Sequence, residues 1–127
     1  MTVGLSPTLL ANNWLNMLRG TAFTAPVAQY IEEHVGDPGV NGTTNPGAVT
    51  GRQLLTYSAA AAGVLTMSNT PTFTQTATET ISHIAVWDAI TVGNFLYSAV
   101  LTTPKSVVNT DTLTFTTLTV SITPLAA

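Results

Sequence analysis

Three residues of one apolar segment have the types that hydrolytic enzymes use. Ser82 and His83 are adjacent, and Asp88 follows in the same segment. Such a set can carry out acyl transfer when the histidine reaches both partners. The segment from Ile81 to Asp88 has the composition of a β-strand, in which successive side chains point to opposite faces. His83 would then face away from Ser82 and Asp88, so we predict no triad and expect His83 to be hydrogen-bonded at a sheet surface.

Metal-ligand types occur in two other places. Glu32 and His34 would share one strand face and could bind a metal with a third ligand, but a solvated sheet edge is the favoured interpretation. Asp37, Asn41 and Asn45 offer an oxygen at every fourth residue, without the bidentate glutamate that closes a calcium loop. Turn formation at Asp-Pro-Gly and Asn-Pro explains these residues better.

Other catalytic chemistry also lacks a pattern. The six acidic residues show no spacing that singles out a pair for glycoside hydrolysis. The glycine-rich segment 36–51 has no lysine, so it is not a phosphate-binding loop. We therefore predict a protein that is not an enzyme, with no catalytic residue, no metal and no cofactor.

Charge and cysteine content exclude further classes. The chain has 127 residues, a net charge of −3 and no cysteine. Its three basic residues, Arg19, Arg52 and Lys105, are widely spaced, whereas binding to nucleic acid needs clustered positive charge. We predict no direct nucleic-acid partner, and thiol chemistry and disulfides are excluded.

Hydrophobic stretches are short. The longest apolar or glycine run, Ala59 to Leu65, is well below the roughly 20 residues that span a bilayer. The N-terminus has no basic region before an apolar run, so we expect synthesis in the cytoplasm without export, and no membrane partner.

Threonine is abundant in this chain, whereas charged residues are few. The 25 threonines make up about a fifth of the chain and combine a hydroxyl with the β-branched shape that favours strands. An uncharged hydroxyl surface costs little to desolvate against another protein, which suits permanent assembly. An ordinary extracellular-type β domain with a threonine bias is the alternative.

One helix is predicted near the N-terminus, over residues 7–19. Ser6 would cap it, Pro7 would occupy its first position, and Gly20 would end it. Apolar residues at helical spacing would share one face: Leu9, Leu10, Trp14, Met17 and Leu18. This helix could cover one end of its own sheet, which is favoured, or dock on a neighbouring subunit.

The rest of the chain predicts a mainly β fold. Seven strand segments separated by turn residues indicate an antiparallel, jelly-roll-like β-sandwich in a single domain over residues 1–127. They are 27–35, 52–57, 64–68, 72–77, 81–88, 95–101 and 113–122. The segment 81–88 is the most apolar and should be central. Segment 72–80 has one face of threonines and should be an outer or edge strand. In the last segment the apolar parity changes after Phe115, through either a bulge near Thr116 or a passage between sheets.

A set of short motifs runs through nearly the whole chain. In order, they are Trp14 to Thr21, Phe23 to Pro26, Tyr30 to His34, Gly36 to Gly39, Thr44 to Pro46, Arg52-Gln53, Thr78 to His83, Val86 to Asp88, Gly93 to Leu96 and Asn109 to Leu113. Together they resemble a family of small virion proteins of tailed bacteriophages, especially phages of actinobacteria. Members are commonly labelled tail fibre proteins, and similar chains are minor capsid or decoration proteins. One departure is Glu32-Glu33, where a regular apolar alternation would be expected.

The resemblance implies a structural role in the virion. Because the chain lacks coiled-coil heptads and β-helix repeats, a decoration or minor capsid protein on the outside of the head is the favoured interpretation. Its partners would be the major capsid protein and copies of itself, as a homotrimer. A tail-fibre or minor tail protein is the alternative. A carbohydrate-binding module, less favoured, would need exposed aromatic side chains among Trp14, Tyr30, Trp87, Phe95 and Tyr97.

The expected contact residues come from three regions. They are Trp14 and Leu18 in the helix, Asp37, Asn41 and Asn45 in segment 36–51, and the threonines Thr72, Thr74, Thr76 and Thr78.

Overall fold

The computed structural model describes residues 3–123 and residue 126, and this part contains a short helical region followed by eight strands. In chain order, the elements are a π-helical turn (Pro7–Ala11), α1 (Asn12–Leu18), β1 (Gln29–His34), β2 (Gln53–Leu55), β3 (Val64–Thr66), β4 (Thr72–Thr74), β5 (Glu79–Trp87), β6 (Phe95–Val107), β7 (Thr112–Thr114) and β8 (Thr119–Ser121). Every predicted strand segment overlaps at least one of these strands, so the mainly β class is confirmed. In the described residues, no helix has the length and apolar character needed to cross a membrane.

Four strands form the larger sheet, in the order β2-β1-β5-β6 with antiparallel pairing throughout. β5 lies between β1 and β6, which confirms its predicted central place. Its Ile84 and Val86 are buried on one face, and its Ala85 and Trp87 are buried on the other. Burial on both faces explains why this segment is the most apolar of the chain.

Two small sheets, β3-β8 and β4-β7, complete the sandwich. Their inward side chains join those of one face of the larger sheet in a single core. Its buried members are Leu10, Ile31, Leu55, Met67, Phe73, Ile84, Val86, Leu96 and Tyr97. Phe73 of β4 meets Phe115 edge to face, with ring centroids 5.9 Å apart. The antiparallel sandwich is thus confirmed.

The C-terminal segment forms two strands rather than the single predicted strand. β7 pairs with β4, and β8 pairs with β3 in the other small sheet. The chain therefore passes from one sheet to the next between Thr114 and Thr119. This passage explains the change of apolar parity, because Phe115 and Leu118 both pack against the core.

The N-terminal helix differs from the prediction in its first turn. The N–H of Ala11 donates to the Ser6 carbonyl at 3.0 Å, five residues back, so residues 7–11 form a π-helical turn. Ser6 stands at the predicted cap position, but its side chain makes no capping hydrogen bond. The predicted end is confirmed: Gly20 has φ +82°, and its N–H donates to the Met17 carbonyl.

The predicted apolar face of the helix is correct for its first half alone. Leu9, Leu10 and Trp14 pack against the core, as the favoured interpretation requires. Met17 and Leu18 are 55% and 87% exposed. The wider first turn rotates the residues that follow it relative to a regular α-helical period, so the predicted face is not continuous.

Candidate interaction surface

The predicted threonine surface is exposed. Thr72, Thr74, Thr76 and Thr78 all point outward, while Phe73 and Gln75 between them are buried. On β7, Thr114 and Thr112 lie opposite Thr72 and Thr74 and are also exposed. We call these six residues the threonine face. The hydroxyls of Thr72 and Thr114 are 3.0 Å apart and hydrogen-bonded. The face therefore presents paired, uncharged hydroxyls on a two-stranded sheet.

Segment 36–51, which we call the glycine loop, is organised by its own polar side chains. The Asp37 carboxylate accepts from the Gly39 N–H at 2.8 Å, and the Asn45 side-chain amide donates to the Asp37 carbonyl at 3.0 Å. Asn45 has φ +51°, a conformation that asparagine tolerates. Turn formation thus accounts for Asp37 and Asn45. Asn41 is exposed.

The part of the loop around Gly42 lies against the face of the larger sheet that is opposite the main core. Gly42, with φ +73°, rests on the ring of Phe95 so closely that a Cβ atom there would be 2.3 Å from the Phe95 Cδ2. Phe95 in turn packs on Trp87 of β5. A loop of glycines therefore covers a second, smaller cluster formed by Ala85, Trp87 and Phe95.

β1 holds the other side of the loop. The His34 ring donates from Nδ1 to the Thr44 carbonyl at 2.9 Å, and the Glu33 carbonyl accepts from the Gly47 N–H at 2.9 Å. The Glu79 carboxylate accepts from the Ala48 N–H at 2.9 and 3.1 Å. Because Glu79 directly follows Thr78, the glycine loop and the threonine face meet at this carboxylate.

The expected solvated edge at Glu32 and His34 is wrong. β1 lies between β2 and β5, so it is an inner strand. His34 is completely buried, and burial lowers the pKa of its ring below the usual value of 6.5. Glu32 forms an ion pair with Arg52 at 3.0 Å. Among the described residues, there is no group of three or more histidine and acidic side chains that could hold a metal ion.

Arg52 binds the turn between β5 and β6. Besides Glu32, its guanidinium donates to the carbonyls of Ala89 and Val92, at 2.9 and 2.7 Å. It also lies 4.0 Å above the Trp87 ring centre. Val92 has φ +56°, a conformation that β-branched residues rarely adopt. Arg52 therefore fixes a strained turn through two hydrogen bonds, while Glu32 and Trp87 hold its guanidinium in place.

Sequence reasoning missed one polar pair at the centre of the molecule. The Glu33 carboxyl is completely buried between the sandwich layers, where both of its oxygens lie within 2.9 and 3.1 Å of the Gln75 Nε2. Burial raises the Glu33 pKa to about 7; the Gln75 hydrogen bond opposes this rise and the Glu79 charge adds to it. The sequence feature that could have indicated this pair is Glu32-Glu33, which interrupts the apolar alternation expected in β1.

The hydrolase-type residues do not converge. His83 accepts or donates a hydrogen bond with its neighbour Ser82 at 2.8 Å, which fits the expected hydrogen-bonded histidine at a sheet. Asp88 instead binds the backbone and side chain of Asn94, at 2.6 and 2.8 Å. Ser82 and Asp88 thus serve separate local contacts.

The two helix residues expected to make contacts, Trp14 and Leu18, differ in their exposure. Trp14 is half-buried beside a cavity of about 110 Å³, which Leu10, Phe23 and Tyr97 also line. Leu18 projects from the last turn of α1. The aromatic side chains proposed for a sugar platform are not exposed: Trp87, Phe95 and Tyr97 are buried, and Trp14 and Tyr30 are half-buried.

These features define a small antiparallel β-sandwich protein whose outer strands present hydroxyls in place of charges. The chain belongs to a bacteriophage fibre protein family. Over residues 5–123 it matches the family described as podophage GP4 fiber I protein gp80. This membership supports a structural role in a phage virion, as the motif resemblance implied. No curated protein matches the chain.

Proposed function

We propose that this protein is a non-enzymatic fibre component of a tailed-phage virion, which attaches to its neighbours through the threonine face and the adjoining glycine loop. The family match, whose description names a fibre protein, is the observation that carries this proposal. The motif resemblance further favours a phage of actinobacteria.

The chemistry of the surface supports attachment to protein. The threonine face carries hydroxyls that exchange water for new hydrogen-bond partners, and no ion has to be desolvated. Repeated copies of such a surface give high avidity from weak contacts. We propose that copies of this chain form a homotrimer and that nucleic acid and membrane are not among its partners.

Head decoration is the second candidate. The described strands fold into a sandwich with elements of three to thirteen residues, without an elongated stalk. A sandwich of this kind suits a subunit placed at symmetry axes of the major capsid protein. In this candidate, the same threonine face and loop would contact the capsid.

Copy number per particle separates the two candidates. Quantitative mass spectrometry of purified virions, with the major capsid protein as the reference, measures it. A few copies per particle, with antibody label at the tail, would support the fibre proposal. Tens to hundreds of copies, with label over the head, would favour decoration, and absence from the particle would refute both.

A charge substitution tests the surface itself. Thr74→Lys places a cation on the threonine face, whereas Thr66→Lys places the same cation on an exposed position of β3. Both threonines lie in three-residue strands of two-stranded sheets, so Thr66→Lys is a matched control. We expect Thr74→Lys to lower incorporation into particles at least tenfold and Thr66→Lys to leave it unchanged. Equal incorporation of both variants would contradict the proposed surface.

A further inference from the structure

One acidic side chain lies in the contact between the two layers of the sandwich. Glu33 is on β1 of the larger sheet, and Gln75 directly follows β4 of the small sheet that carries the threonine face. Both side chains are buried. The Gln75 backbone is fixed as well, because its N–H donates to the Asp111 carbonyl and its carbonyl accepts from the Thr110 N–H. This pair therefore joins the two layers at a buried and well-defined position.

The ionised form of Glu33 leaves acceptors of this pair unsatisfied. A carboxylate accepts hydrogen bonds but donates none, and both of its oxygens share the Gln75 Nε2, at 2.9 and 3.1 Å. The Gln75 Oε1 is also buried, and it has no donor in the described part of the chain. The ionised pair would thus keep a negative charge in the interior and an unpaired carbonyl oxygen beside it, both of which are costly.

A proton on Glu33 supplies the missing donor. A carboxylic acid has one O–H donor and one carbonyl acceptor, and a side-chain amide has the complementary set, so the two groups can exchange a pair of hydrogen bonds. A small adjustment of the Gln75 side chain would bring its Oε1 to the carboxyl O–H while its Nε2 keeps a contact with the other oxygen. The neutral acid is therefore the form that satisfies both side chains.

The surroundings of Glu33 act in the same direction. Burial is the main reason that the Glu33 pKa is raised, to about 7, and the Glu79 carboxylate on β5 adds to the rise. The hydrogen bond from Gln75 opposes the rise without cancelling it. Hydrogen bonding, burial and charge thus all favour a protonated Glu33.

Other ionisable groups on the neighbouring strands lie away from this carboxyl. Glu32 and His34 alternate with Glu33 along β1 and point to the opposite face, where Glu32 pairs with Arg52. His83 on β5 lies opposite His34 in the register and shares that face. Two exposed residues complete the set: Lys105 on β6 and Asp111, which precedes β7.

We propose that the folded protein carries Glu33 as the neutral acid, which donates its proton to the Gln75 Oε1, and that this proton helps to hold the sheet of the threonine face on the larger sheet. The proton is taken up when the chain folds and is released when it unfolds. Acid therefore stabilises this contact between the layers. This property goes beyond the proposed function, because it belongs to the chain in any position in the virion.

The direction of the pH dependence follows from the two states of Glu33. Its pKa is about 7 in the folded protein and has its usual value of 4.5 in the unfolded chain, where the side chain is in water. The contribution of Glu33 to stability is therefore complete below about pH 4.5 and is lost as pH rises to about 7. The folding equilibrium constant would fall by up to about tenfold per pH unit, roughly 300-fold in all.

His34 has the opposite effect, because burial lowers its pKa in the folded protein. The wild type alone therefore does not isolate the Glu33 proton. The variant Glu33→Gln does, because its side-chain amide is neutral at every pH, has nearly the shape of the acid and can donate to the Gln75 Oε1. His34 is present in both proteins, so its contribution cancels in their comparison.

Denaturant unfolding of the full chain and of Glu33→Gln, at a series of pH values, measures the effect. We expect the ratio of folding constants, variant over wild type, to rise by up to about 300-fold between about pH 4.5 and pH 7.5. Glu32→Gln is the matched control, with the same substitution one residue earlier on the opposite face of β1. It removes the charge that pairs with Arg52, so it should not stabilise the fold at any pH.

A ratio for Glu33→Gln that stays constant or falls as pH rises would overturn the proposal, because Glu33 would then be ionised in the folded protein. If the variant does not fold, an NMR titration of the wild type with labelled glutamate carboxyl groups decides. A Glu33 midpoint near 7 supports the neutral acid. A midpoint at or below its usual value of 4.5 overturns it, and this is also the result expected if a buried water donates to the Gln75 Oε1 beside an ionised Glu33.

Discussion

The glycine loop and the threonine face are adjacent, but they differ in the burial and pairing of their polar groups. His34 is buried beneath the loop, and Glu33 and Gln75 are buried between the sandwich layers; each has a specific partner in another segment. On the threonine face, the hydroxyls are exposed, and water can replace any partner. Buried polar groups fix one conformation because a lost partner is costly, whereas exposed hydroxyls leave the surface free to bind.

Two hydroxyl pairs show the same contrast at the level of one bond. Tyr57 and Tyr97 share a hydrogen bond inside the sandwich, and burial raises the pKa of Tyr57 to about 12 and that of Tyr97 further, so both are neutral. Thr72 and Thr114 share a hydrogen bond on the surface. The first pair should contribute to stability and the second should contribute little.

The strongest test compares the two sides of β4. Phe73→Ala should lower the free energy of unfolding by about 3–5 kcal/mol, because it leaves a cavity opposite Phe115 in the core. Thr74→Ala, on the threonine face, should change it by less than about 0.5 kcal/mol. Denaturant unfolding measures both, and a comparable loss for Thr74→Ala would show that the face is part of the folding core.

The next effect concerns the fit of the loop on the sheet. Gly42→Ala should destabilise the protein by about 2–4 kcal/mol, since the new Cβ would collide with the Phe95 ring and the residue has a positive φ. Gly51→Ala is the control, because a Cβ at Gly51 meets no atom within 4 Å. Thermal and denaturant unfolding should separate the two variants. Equal stability would mean that the loop does not rest on Phe95.

Removal of one buried hydroxyl should have a smaller effect. Tyr57→Phe leaves the Tyr97 hydroxyl without its partner and should cost about 1–3 kcal/mol. Replacement of both tyrosines by phenylalanine should recover part of this loss, because no unpaired hydroxyl remains. A double-mutant cycle of unfolding free energies measures the coupling, and additive losses would argue against a shared hydrogen bond.

The smallest effect is expected on the surface. Thr72→Val removes the hydrogen bond to Thr114 but keeps the β-branched shape, so stability should change by less than about 0.5 kcal/mol. Unfolding free energies of this variant and of Tyr57→Phe, measured together, compare the two hydroxyl pairs directly. A larger loss for Thr72→Val would reverse the contrast drawn above.

Much of the fold could be predicted because strand signals are local. The alternation in 72–80 predicted which threonines would be outside, and the continuous apolar run of β5 predicted its central place. The helix was less predictable, since an N-cap serine and Pro7 are compatible with either a regular or a widened first turn. For the contact surface, the threonines are exposed as expected, but their binding role and that of Trp14, Leu18, Asp37, Asn41 and Asn45 stay predictions.

The sequence by itself determined the β class, the outward side of the threonine segment 72–78 and the low content of charged residues. These follow from side-chain alternation and composition, which depend on near neighbours along the chain. The tertiary structure alone decided that Glu33 meets Gln75, 42 residues away, and that β1 is an inner strand. Such contacts depend on strand order, register and the packing of two layers, and no local pattern specifies these. The buried polar cluster is therefore a product of the assembled sandwich.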